Sequence, residues 1–200
     1  MIVPIVEGQS EVISVPPLIR RILRETINVW DIDAAKPFRV KRNLVVKKGE
    51  FERAIKQAIR ARYTERHVVG GVLVLLDADD DCPRDLAETL LHRAKSETRL
   101  PVSVVLPQME LEAWILASKE QLRGVRGIRE DATSPEHPES IRGAKGQLSR
   151  NMGPGRCYIE TADQVALVEK MDIQVCQERC PSFRKLIRDI EYLVGEMRKF

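Results

Sequence analysis

The stretch Val68–Leu76, VVGGVLVLL, carries no polar side chain and stops abruptly at Asp77-Ala-Asp79-Asp80-Asp81. It is far shorter than the ~20 residues a helix needs to cross a bilayer. Its β-branched, apolar character predicts a strand buried on both faces. Such a strand needs helices on either side, which restricts the chain to α/β arrangements. Two more runs follow the same rule. Ile2–Val6 ends at Glu7-Gly8, and Val102–Leu106 is followed, across Pro107-Gln108-Met109, by Glu110-Leu-Glu112.

Helix-periodic segments separate these runs. Ser10 could cap a helix carrying Leu18, Ile19, Ile22 and Leu23, with Pro16-Pro17 in its first turn, where a missing N–H costs nothing. Phe38–Val40, and with it Leu44–Val46, reads as a more polar edge strand. Glu50–Arg62 shows a helical apolar stripe at Phe51, Ala54, Ile55, Ala58 and Ile59. Pro83 opens a helix to about Thr98, and another runs from about Met109 to Ala117. The alternation predicts a mainly parallel sheet of about four strands with flanking helices over residues 1–118. From Gly124 to Pro138 the composition is that of a loop. No further strand follows, so residues 119–200 read as an α-helical C-terminal third packed on the same domain. Pro181-Ser182-Phe183 breaks it before a last helix.

In an open parallel sheet, ligands bind outside the carboxyl ends of the strands. Three strands ending in acids therefore gather Glu7, Glu11, Asp77, Asp79, Glu110 and Glu112 at one rim. Ionised carboxylates that close together disfavour one another's charge. A hard divalent cation, Mg²⁺ or Mn²⁺, is the usual compensation where ligands are oxygens without His or Cys. Capping competes with this reading at any single cluster, as at Asp81 before Pro83. Asp31-Ile-Asp33 has the same spacing but follows no apolar strand and reads as a loop.

Between the first two acidic motifs the charge reverses. Residues 39–66 hold ten basic side chains, among them Arg39, Lys41, Arg42, Lys47, Lys48 and Arg66, against Glu50, Glu52 and Glu65. Basic surface beside an acidic metal rim suits a phosphodiester, its phosphates held by Lys and Arg; a solvated helix face is the competing reading for residues 53–66. Aromatics are only 4% of the chain, which argues against a surface that stacks single-stranded bases. Cys82, Cys157, Cys176 and Cys180 form no CxxC pair and read as reduced thiols. With no signal-like segment and no bilayer-length run, the expectation is a soluble cytoplasmic protein with no membrane role. His67, His92 and His137 have no partners in the sequence and receive no role.

The segments VEGQSE, VLLDADDD and MELEAWILA, followed by AKGQLSR, Y...TADQ and PSFRKL, together resemble the Toprim-like domain-of-unknown-function family 4276. That family is similar in pattern to the Toprim domains of topoisomerases, primases and OLD-type nucleases. The resemblance covers nearly the whole chain. It implies a Toprim-like (Rossmann-like) fold, with Glu7, Asp77 and Asp79 at a Mg²⁺ centre for phosphodiester chemistry. Glu11 matches the extra acid that OLD-like members place after the glycine. No topoisomerase tyrosine is recognisable, so strand passage is not expected. An ATPase of a phage-defence system is the implied partner protein.

The resulting expectation is a nuclease-like phosphodiesterase acting on nucleic acid. Glu7, Asp77 and Asp79 would hold the principal metal, and Glu11, Glu110 or Glu112 would complete a second one or orient its waters. Glu7 is the candidate general base. Lys145, the one lysine of its neighbourhood and part of a family-like segment, is the candidate for neutralising charge on the phosphate. Trp114 is expected to pack its helix against the sheet. The alternatives are a small-nucleotide phosphohydrolase and a non-catalytic metal- and polyphosphate-binding module acting with an ATPase. A phosphoacceptor module is weaker, because no lysine follows a later strand.

Overall fold

The structure is a computed structural model that describes residues 1–62 and 68–199. Glu65, Arg66 and His67 lie outside the described residues. Four strands, β1 (Ile2–Val6), β2 (Phe38–Arg39), β3 (Gly71–Leu75) and β4 (Val102–Val105), form one all-parallel sheet in the order β2-β1-β3-β4. Nine α-helices surround it among the described residues: α1 (Glu11–Arg21), α2 (Arg42–Val45), α3 (Glu50–Arg62), α4 (Pro83–Lys95), α5 (Glu112–Ala117), α6 (Ala144–Arg150), α7 (Glu160–Val168), α8 (Ile173–Arg179) and α9 (Pro181–Met197). The α/β parallel architecture expected from the sequence is the observed one.

Strand periodicity explains why β1, β3 and β4 are almost wholly apolar, the buried Ser103 of β4 being their one polar side chain. Ile2, Val6, Leu73, Leu75 and Val105 face a core shared with α1 and the helices from α5 to α9. Their neighbours Val3, Ile5, Val72, Val74, Val102 and Val104 face a second core under α3 and α4. Residues 119–200 contribute Leu148, Leu167, Phe183 and Ile190 to the first core, so the helical third closes one face of the sheet. The Gly70-Gly71 pair admits α9 at close range: a Cβ on Gly70 would lie 3.0 Å from Met197 Cγ, and one on Gly71 3.3 Å from Leu193 Cδ2.

Four expectations are corrected. The first helix starts at Glu11, so Pro16 and Pro17 lie inside it rather than in its first turn. Buried Val15, Pro16, Leu18 and Ile19 make the packing that offsets the lost backbone donors. Ser10 makes no side-chain cap; its hydroxyl donates to Glu160 instead. Leu44 and Val45 belong to α2 rather than a strand. Helix α5 begins only at Glu112: Pro107 O still continues the ladder by accepting from Ala78 N–H, and Leu111 N–H donates to Asp77 before the helix starts.

Candidate functional site

The pairing Ile5↔Val74 and Leu75↔Val105 sets the ends of β1, β3 and β4 level. The ladder runs past the strands, with Ala78 N–H donating to Pro107 O at 3.0 Å. Glu7, Asp77 and the Glu110–Glu112 turn are thereby delivered to one rim. Helices α6 and α7 roof it and contribute Lys145 and Glu160, which meet in an ion pair of 2.8 Å.

Each carboxylate has a distinct environment. Glu11, 7% exposed, accepts hydrogen bonds from the backbone N–H groups of Glu7 (3.1 Å) and Gly8 (2.6 Å) and so shapes the turn after β1. Asp77 Oδ1 accepts from Leu111 N–H at 3.1 Å. Glu112, 1% exposed, accepts from the Tyr158 hydroxyl at 2.9 Å and from Gln164 Nε2 at 3.1 Å. Glu110 accepts from the backbone N–H of Lys145 at 3.2 Å. Asp79 is exposed on a loop where its own φ is +52°. Glu7 Oε2 is buried without a hydrogen-bond partner, the one such side-chain atom among the described residues.

Burial and mutual repulsion set the protonation of this group. Burial, then the charge of Asp79, raises the Glu7 pKa. Burial raises Glu11 against the opposing Gly8 N–H. Asp77 lies well above the usual carboxylate range through burial and the charges of Glu11 and Glu112. Burial pushes Glu112 up to about 7. Burial alone would lower Lys145, but Glu112, Glu160 and Asp77 outweigh it and hold the ammonium charged. Burial would raise Glu160, yet its hydrogen bonds from Lys145 and Ser10 keep it low.

A carboxyl whose pKa is higher folded than unfolded holds its proton preferentially in the folded state. Its stabilising contribution is complete below the unfolded value and is lost as pH rises through the folded one. For Glu112, going from 4.5 to about 7, the loss is about 3 kcal/mol. Urea midpoints in chelator are expected to fall between pH 5 and pH 8, and Glu112→Gln, which keeps an acceptor for Tyr158 and Gln164, to flatten that fall. A midpoint that stays level in wild type across this range would refute the assignment.

The basic segment divides. Lys41, Lys47 and Lys48 are exposed. Arg39 donates to Glu7 O at 2.8 Å. Arg42 grips the acidic loop, donating to Asp77 O (3.2 Å), Ala78 O (3.4 Å) and Asp81 Oδ2 (2.5 Å), with Asp79 Oδ2 3.8 Å away. Its guanidinium is thus engaged with the loop that carries Asp77 and Asp79. Asp31 and Asp33 lie in a loop, paired with Arg198 and Arg20. Tyr158, Glu160 and Gln164 belong to the site without being singled out individually in the sequence, and Ser10, read there as a helix cap, joins them through Glu160. Their available signal was the spacing Glu160/Gln164, which puts both on one face of a helix.

The donors are hard oxygens, and the unpartnered Glu7 oxygen is an acceptor still open to a cation, so the residues fit Mg²⁺ or Mn²⁺ in kind. They are not a preformed cage: among the described residues, no three His, Cys, Asp or Glu side chains are gathered closely enough to hold an ion. Glu11 and Glu112 each accept two protein donors, Asp77 accepts one on Oδ1, and Glu7 Oε2 accepts none, which leaves Glu7 and Asp77 the more open to an ion.

Sheet and rim together define a parallel α/β protein with buried carboxylates at its strand ends, roofed by its own C-terminal helices. The chain belongs to the family described as Domain of unknown function (DUF4276), whose model matches residues 6–191. No curated protein and no solved structure is significantly similar to it. No helix among the described residues is long and apolar enough to cross a membrane.

Proposed function

We propose that this protein is a Mg²⁺- or Mn²⁺-dependent phosphodiesterase acting on nucleic acid, with its strand-end acids arranged as in Toprim domains. The observation that carries the reading is the buried, unpartnered Glu7 oxygen at the same rim as Asp77, whose charge is opposed by burial and by Glu11, Glu112 and Asp79. Carboxylates under that strain gain most from a cation and from a substrate that brings one.

In this reading Glu7, Asp77 and Asp79 hold the ion, which when bound polarises a phosphoryl oxygen and acidifies water. Glu7, its pKa raised by burial, is the general base, taking the proton of the attacking water on the carboxylate oxygen that the ion does not occupy. Lys145 leaves Glu160 to neutralise charge on the phosphate. Glu110 steadies the Lys145 backbone, and Arg42 fixes the loop that carries Asp79. Lys41, Lys47 and Lys48, with Arg39, bind flanking phosphates.

A second reading, metal binding without turnover beside an ATPase partner, is favoured by the hydrogen bonds that already hold Glu11 and Glu112. Incubation with supercoiled plasmid and single-stranded DNA in Mg²⁺ or Mn²⁺ separates the two. Nicking or digestion that chelator stops is expected. Calorimetric metal binding with the DNA intact would select the second reading. Phosphate release from nucleotides with DNA intact would point to a small-molecule substrate, and neither binding nor cleavage would sink all three.

A further inference from the structure

Beyond the rim, the far edge of the sheet carries a feature that the phosphodiesterase reading does not use. Strand β4 is the last in the order, so one side of its backbone has no strand partner. Pro101 O and Val105 O accept from Val72 and Leu76, which by alternation turns the backbone groups of Val102, Val104 and Leu106 away from β3. Helices α4 and α9 pass that edge on opposite faces and wall a groove of about 770 Å³ whose floor is the open side of β4. Ala87 and Leu91 form one wall. Tyr192, 46% exposed, belongs to the other.

One side chain stands where a neighbouring strand would. Lys185 reaches across from α9 and donates to Val104 O at 2.8 Å, while Asp189 holds the same ammonium at 2.5 Å. Beneath it Val104 is 2% exposed. A lysine across an open edge blocks unselective strand pairing. Its second partner, Asp189, also gives it a place to stay when a strand displaces it from Val104.

We propose that this groove is a docking site for an extended segment of a partner polypeptide, which adds to the sheet as a fifth strand beside β4. Size supports that occupant. A strand in a packed sheet fills ~3.3 Å of rise by ~4.8 Å of strand spacing by ~10 Å of sheet spacing, roughly 160 Å³ per residue. The groove therefore takes about five residues, matching the floor from Val102 to Leu106. Charge supports it too. Lys185 is balanced by Asp189, and around the groove the three bases Arg84, Lys95 and Arg188 outnumber the two acids Glu88 and Glu139. The segment that fits turns apolar residues toward Ala87 and Leu91, turns the more polar β-branched residues between them toward Tyr192 and Arg188, and carries acids at its ends.

The test titrates the ¹⁵N-labelled full chain with the blocked heptapeptide Asp-Val-Thr-Val-Thr-Val-Glu, and with the same peptide N-methylated at alternate amides. Micromolar binding is expected, with the Val104 and Leu106 amides shifted and protected from exchange. N-methylation removes backbone donors and should weaken binding about tenfold or more. Lys185→Met keeps the apolar stem but frees Val104 O, and should tighten binding. Three results would each overturn the proposal: no amide shift at millimolar peptide, affinity indifferent to N-methylation, or protection of β4 that grows with protein concentration alone. The last would assign the edge to a second copy of this chain. Glu7→Ala should bind the peptide like wild type, so failure of the rim reading and failure here are distinguishable.

Discussion

Asp77→Asn is expected to yield a protein that unfolds at a higher temperature than wild type and cleaves nothing. The carboxyl is buried, and Glu11 and Glu112 oppose its charge. The amide keeps an oxygen for Leu111 N–H while removing the charge. Relief of that repulsion should raise the melting midpoint in chelator at pH 8 and leave it nearly unchanged at pH 5, where the wild-type carboxyl is closer to neutral. The same change removes a proposed cation ligand. Turnover in Mg²⁺ should fall on the order of a hundredfold or more, the scale of deleting one preorganised electrostatic group. Calorimetric metal affinity should fall with it. Scanning calorimetry beside a plasmid assay reads both halves. A variant that loses stability and keeps activity would show that Asp77 serves the fold through its charge.

The second large effect is expected at Trp114, at the junction of α5 and α9. Its ring is fully buried and meets Phe183 edge-on, centroids 5.1 Å apart at 79°. Its Nε1–H donates to Ser182 Oγ at 2.8 Å and to Glu139 at 3.3 Å, and its carbonyl accepts from the buried Cys176 thiol. Trp114→Ala should cost about 3–5 kcal/mol through the lost contacts and the cavity left behind. Against a typical domain stability of roughly 5–15 kcal/mol, that brings the chain close to unfolding. Trp114→Phe keeps most of the apolar volume and should lose only about 1–2 kcal/mol, chiefly the indole hydrogen bonds. Urea unfolding of the two variants checks the ordering. Near-equal losses would mean that the hydrogen bonds, rather than the ring's bulk, hold the junction.

The strands were legible because burial on both faces leaves almost no polar position to blur them: VVGGVLVLL has none, and PVSVVL only the buried Ser103. Their acidic endings followed from parallel topology, which sends strand ends to one side. Other features depend on tertiary choices that a local pattern does not record. Pro16 and Pro17 read as a helix start, yet packing against the sheet holds them inside α1. Leu44–Val46 has strand composition, but α2 turns Arg42 toward the Asp77–Asp81 loop. Of the site, Glu7, Asp77 and Lys145 were legible. Glu160, Tyr158 and Gln164 were not, because their meaning lies in what they meet at the far end of the chain.

That separation bears on synthesis. Ser10 bonds to Glu160 and Ser14 to Gln164, each across 150 residues, and α1 packs on α7. A chain emerging from the ribosome exposes Glu7 and Glu11 early but receives their roof only when residues 144–168 follow. Contacts this distant in sequence also close late and slowly. The rim is therefore completed only once the chain has been made through α7. Chains cut short before α6 would carry the acids without Lys145 or the Tyr158–Gln164 clamp on Glu112, and any hydrolytic power of the protein would be withheld until α6 and α7 are in place.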